Sequence, residues 1–193
     1  MVRALKPSST SGEPPKEFEI RRDLPLGRHP ILTAFPTLDR LPTARRLEPD
    51  ATKRAPLFAS TEVEIVSEDM WMYVAPRKKI PGTPRRWNPV VSADADCIVI
   101  GEGHLRESPA TTLFMDIYHE LCHVRQRRDG ADLYDRSVGY TERWTEVEAY
   151  RFVVDEARQF GVSDEYLRDY LKVEWISEKE HRSLLHELGV PVG

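Results

Sequence analysis

A run of short strand-like segments followed by unbroken helical patterning predicts an α+β domain for this chain of 193 residues. Glu62-Val63-Glu64-Ile65-Val66 alternates with the period of two that a half-buried strand requires. Met70–Ala75 is a second strand candidate, and the apolar run Cys97-Ile98-Val99-Ile100, ended by Gly101, is a third. From Ser108 onward the signals are those of helices. Ser108-Pro109 supplies a cap and a proline at the first helical position, and Gly130 closes the segment. A second helix is expected from about Thr141 to Phe160 with Gly161 behind it, and Ser163 opens a third. Ser177 with Glu180 forms a capping box for a fourth, which Gly189 stops.

The first 55 residues read differently. Eight of the 15 prolines fall within the first fifty positions, and Ser8-Ser9-Thr10-Ser11-Gly12 has the composition of a flexible linker. Residues 1–55 are therefore expected as an extended or partly disordered arm, with Ile31, Leu32, Phe35 and Leu38 available to lie across a domain formed by residues 56–193. Between the second and third strand candidates, residues 76–93 form a Pro-rich loop that carries Arg77, Lys78, Lys79, Arg85 and Arg86 without an acidic residue.

Composition narrows the functional classes. Net charge is −4, which excludes a strongly basic nucleic-acid binder while leaving the basic loop 77–87, with Trp87 beside its arginines, as a candidate local contact. Mean hydropathy is −0.52, and no stretch approaches the roughly 18 apolar residues of a spanning helix. The N-terminal residues lack the apolar core of a signal peptide, and Cys97 and Cys122 form no CxxC pair. The expectation is a cytoplasmic protein with two reduced thiols and no membrane partner. Gly101-Glu102-Gly103 leads into no third glycine, and there is no phosphate-binding GxxxxGK[ST] segment.

The chemistry lies in His119-Glu120-Leu121-Cys122-His123. Residues four apart on a helix stand one above the other, so two imidazoles at this spacing can converge on one cation. Glu120 is rotated by about 100° from His119, which sets it beside the cation as a general base. On a helical wheel Leu113, Ile117, Leu121 and Val124 form a core face, while His119 and His123 share another face with Asp116 and Gln126. A third ligand is expected from the next helix. There Val147, Tyr150, Val153, Val154, Ala157 and Phe160 form an apolar side with Glu146 in its middle, and Glu148 points the opposite way as a solvated neighbour. A carboxylate centred on a core face is costly unless it is paired or bound to a metal, so Glu146 is the expected ligand and Glu142 the weaker alternative.

These residues carry a resemblance. HExxH followed by a helical Glu-x-x-Ala resembles the gluzincin arrangement of zinc metallopeptidases. In particular, Asp116–His123 and Glu146–Phe152 resemble the small ImmA/IrrE-type metallopeptidases. Cys122 stands where glycine is common in that family, and the bulky Tyr150 follows the alanine. The resemblance implies one Zn²⁺ on His119, His123 and Glu146, with Glu120 as catalytic base. It also implies a minimal zincin-like fold: a small twisted sheet packed on the active-site helix, with Cys97–Ile100 as the edge strand that holds peptide substrate. The activity expected is hydrolysis of an amide bond in a protein or peptide. Tyr140, Tyr150 and His104 are the candidate stabilisers of the developing oxyanion, and Asp116 a candidate to orient a ligand histidine from behind. The competing readings are a catalytically idle zincin-fold binding module and a protease recruited to DNA through the basic loop.

Overall fold

A computed structural model describes residues 12–76 and 96–193. The basic loop 77–87, and with it the expected nucleic-acid contact, lies outside the described residues. The described residues divide into two compact units, Glu17–Pro109 and Ala110–Gly193, the latter joined by residues 12–16. Together they hold a small four-stranded sheet and a larger share of helix, an α+β chain.

The first unit is built around the sheet. Its strands are β1 (Gly27–Pro30), β2 (Thr61–Val66), β3 (Met72–Val74) and β4 (Asp96–Gly101), in the order β1-β2-β4-β3. β2 runs parallel to β4, while β1 and β3 pair antiparallel with β2 and β4 respectively. The alternation in β2 appears directly as burial: Thr61, Val63 and Ile65 are buried, and the residues between them are not. Every residue of β4 is buried, as expected of a continuous apolar run in a strand covered on both faces. Register puts Val63 opposite Ile98 and Ile65 opposite Ile100, so these four line one face. Met70, Ala75, Cys97 and Val99 form a cluster on the other. The expectation that Cys97–Ile100 forms an edge is overturned. β4 is hydrogen-bonded on both sides, by β2 and by β3, and has no open backbone to offer a peptide.

Residues 17–55, expected as an arm, carry regular structure. After β1 come α1 (Ile31–Ala34), α2 (Pro42–Leu47) and α3 (Ala51–Ala59). Ile31, Phe35, Leu38, Leu41 and Leu47 are each at most 2% exposed, which makes this segment part of the core and not a cover laid over it. Two of the prolines fit the elements they occupy, while Pro56 lies inside α3. Pro30 ends an edge strand, and Pro42 sits in the first turn of α2, where no N–H is needed. α4 (Glu102–Glu107), where the sequence suggested only a loop, ends at Ser108, and the Arg22 guanidinium donates to the carbonyls of Leu105, Arg106 and Ser108 at 2.6, 3.0 and 2.9 Å. Those carbonyls would otherwise lack partners at the helix end.

Gly101 is required where β4 turns into α4. A Cβ there would meet the Met70 carbonyl oxygen head on and lie 2.7 Å from that of Glu68, both backbone atoms that cannot rotate aside. Gly101→Ala is expected to lower stability by about 1–3 kcal/mol, the usual cost of overpacking. Urea denaturation would register it as a lower midpoint at unchanged slope.

The second unit is helical. α5 (Ala110–Arg128) pairs with α6 (Trp144–Gln159), and α7 (Asp164–Tyr170) and α8 (Glu178–Glu187) follow. Ser163 caps α7 through the Tyr166 N–H, and Ser177 and Glu180 form the expected capping box of α8. Glycines with positive φ stand after α5, α6 and α8, at Gly130, Gly161 and Gly189. The expected helical start at Thr141 is instead a 3₁₀ turn, Tyr140–Glu142, set off from α6 by Arg143. No helix among the described residues is long and apolar enough to cross a membrane.

Candidate metal centre

α5 is buried on nearly every side from Leu113 to Val124, with Asp116 the half-buried exception. His119, Glu120 and His123 are only 6%, 7% and 7% exposed. The two histidines stack one turn apart with Nε2 atoms 2.9 Å from each other and rings almost perpendicular, at 86°. Glu146 comes from the first turn of α6, where the helix dipole favours a carboxylate. Its Oε2 lies 3.5 Å from His119 Nε2 and 3.4 Å from His123 Nε2.

These three donor atoms fit a single cation. A tetrahedral ion with bonds of about 2.0–2.1 Å holds its donors roughly 3.3 Å apart, close to the three separations observed. The buried group His119, His123 and Glu146 can therefore hold a metal ion. Glu142 is exposed and does not belong to the group.

Charge and burial oppose one another at each member. Burial works against the charged form of Glu146, but hydrogen bonds from His119 and His123 outweigh it and hold the carboxyl well below the usual range. Burial likewise disfavours a charged His123, and its bond to Glu146 with the surrounding carboxylates raises it to about 9. Glu120 shows the reverse balance. Burial pushes its carboxyl up, with the two histidines pulling less strongly downward. Among the described residues Glu120 has no hydrogen-bond or ion-pair partner. A buried carboxyl left unpartnered is expensive unless its proton affinity is put to use.

The surrounding residues differ in part from expectation. Asp116 was the candidate to orient a ligand histidine, but among the described residues the His119 Nδ1 has no hydrogen-bond partner, and the His123 Nδ1 bonds to Gln126 Oε1 at 2.8 Å. Burial, together with the nearby charge of Asp116, pushes the Tyr170 phenol well above its ordinary value. Glu148, expected in solvent, is part-buried and accepts from Arg125 at 2.8 Å and from Gln126 Nε2 at 2.7 Å. Sequence reasoning placed Gln126 on the histidine face without giving it a role; its position three residues after His123 was the available signal. Glu156, buried on α6, was also missed.

Tyr140 and Tyr150 do stand at the centre. Their hydroxyls are 2.8 Å apart, and the Tyr150 ring lies 4.4 Å from that of His119. Burial pushes both phenols well above their ordinary value, so both keep their protons. His104 belongs to the other unit, on α4, where its Nδ1 meets the Ser108 hydroxyl at 2.9 Å and its ring stacks on Trp71. Both cysteines are buried and free, and burial pushes the Cys122 thiol far up, leaving it inert as a nucleophile. Comparison of the chain with models of protein families, with curated proteins and with solved structures finds no match.

Proposed function

We propose that this chain is a zinc-dependent peptidase of the gluzincin type, hydrolysing an amide bond in a protein or peptide. The observation that carries the reading is the convergence of His119 Nε2, His123 Nε2 and Glu146 Oε2 from two helices, with the unpartnered Glu120 carboxyl buried beside them. Two imidazoles and one carboxylate are the borderline donor set that suits zinc, and three protein ligands leave a coordination position open. When bound, zinc supplies Lewis acidity toward water and toward the scissile carbonyl.

The remaining work falls to side chains of the chain itself. Glu120 takes a proton from the attacking water and hands it to the nitrogen of the leaving amine as the C–N bond breaks. Its raised proton affinity suits both halves of that exchange, since a strongly acidic carboxyl would be a poor base. Tyr140 and Tyr150 remain protonated and can donate to the oxyanion that forms on the former carbonyl oxygen.

The test is metal analysis of the purified full chain followed by a peptide-library digest with and without chelator. The expected result is one zinc per chain and cleavage that chelation abolishes and zinc restores. Zinc uptake with no cleavage of any library member would remove the peptidase and leave a binding module, whereas absence of bound zinc would remove both.

A further inference from the structure

We infer that Gln126 is a positioning residue that serves two of the three metal ligands at once, a role that rests on the metal reading above. Its amide has one possible orientation. The nitrogen faces the Thr145 carbonyl at 2.9 Å and the Glu148 carboxylate at 2.7 Å, and the latter is ion-paired with Arg125 at 2.8 Å. Both are acceptors only, so the donating end of Gln126 must point to them and Oε1 must point to His123. The His123 Nδ1 at 2.8 Å from that oxygen is consequently the donor, and it carries the proton. A neutral imidazole with hydrogen on Nδ1 has its lone pair on Nε2, the atom that faces His119 and Glu146.

The other end of the same amide fixes the partner helix. Thr145 is the residue next to Glu146, and its carbonyl lies in the opening turn of α6. Gln126, at 2% exposure, thus ties the helix that presents both histidines to the turn that presents the carboxylate. Among the described residues His119 has no counterpart to this arrangement, because its Nδ1 finds no hydrogen-bond partner there. Gln126 thus sets the tautomer at His123 and the tie between the two helices at Thr145 and Glu148.

Zinc affinity of the full chain, measured by competition with a chromogenic chelator, tests the inference in the parent, in Q126L and in the double variant Q126E/E148Q. Q126L keeps roughly the shape but removes the acceptor to His123 and the donor to Thr145 and Glu148, and it is expected to weaken zinc binding about 10–100-fold. In the zinc-loaded protein it should also lose the slowly exchanging His123 Nδ1 proton from the NMR spectrum. Q126E/E148Q returns an acceptor to His123 and a donor to the neighbouring position, while giving up the bond to Thr145 and the charge that Glu148 presents to Arg125. Its affinity should lie within a few-fold of the parent with the proton signal restored. Q126L binding zinc within twofold of the parent, or the exchange-protected proton persisting in it, overturns the inference and leaves the metal reading intact. Should Q126L fail to fold, the double variant decides: parent-like affinity and signal support the role, and loss of both overturns it. A parent chain that takes up no zinc overturns the metal reading itself.

Discussion

Glu120→Gln is expected to leave the metal in place and to lower hydrolysis by about 10²–10⁴-fold, the range over which general acid–base groups act. The substitution is nearly isosteric, and Glu120 is not one of the three converging donors, so neither the packing of α5 nor the ligand geometry should change. It removes the proton acceptor alone. Because the Glu120 side chain has no hydrogen-bond partner among the described residues, the variant breaks no existing bond, and stability should move by little or rise. The measurement is zinc content, thermal midpoint and the initial rate on one peptide that the parent cleaves. A parent-like rate in a zinc-replete variant would show that another group takes the proton, with Tyr140 and Tyr150 poor replacements because burial holds their protons on.

What could be seen in the sequence followed local rules. Alternation gave β2, an uninterrupted apolar run gave β4, and the helix ends after Ser163, Ser177 and before Gly189 followed from capping chemistry. The ligand set was legible because each member breaks a rule for its setting: two histidines one turn apart, and Glu146 in the middle of an apolar side. Elements held by distant contacts were not legible. α1 and α2 are four and six residues long, too short for a periodic pattern, and owe their place to the burial of Ile31, Leu38 and Leu47 in a core assembled with β2 and β4. Proline density then suggested an arm, although Pro30 and Pro42 occupy positions where prolines are tolerated. The wheel of α6 put Glu148 opposite Glu146 correctly but could not distinguish solvent from the side chains of a neighbouring helix. Arg125 and Gln126 of α5 claim that carboxylate, and only the pairing of the two helices reveals it. The edge position expected for Cys97–Ile100 failed for a related reason, since the order of strands in a sheet depends on which partners find each other across the chain.

Glu146→Gln sets the sharpest demand on the metal centre, and Glu142→Gln is its matched control. Both change a glutamate to its amide near the start of α6, yet one lies 3.4 Å and 3.5 Å from the imidazole nitrogens and the other is exposed. An amide oxygen is a weak ligand without charge, so loss of Glu146 leaves two donors where a structural or catalytic zinc needs at least three. Zinc affinity should fall by more than the roughly 10–100-fold typical of an outer-shell change. Stability offers a second readout. Zinc at a thousand times its dissociation constant stabilises the chain that binds it by about 4 kcal/mol. At about 2–4 °C per kcal/mol for a chain of this size, that is a rise of roughly 8–16 °C in the thermal midpoint. The rise should persist in Glu142→Gln and vanish in Glu146→Gln. Retention of the full zinc-dependent shift in Glu146→Gln would mean that the cation is held elsewhere, because no rearrangement of His119 and His123 alone supplies the missing anionic donor. Retention in both variants would separate the metal from Glu146 and dissolve the convergence from which the peptidase is argued.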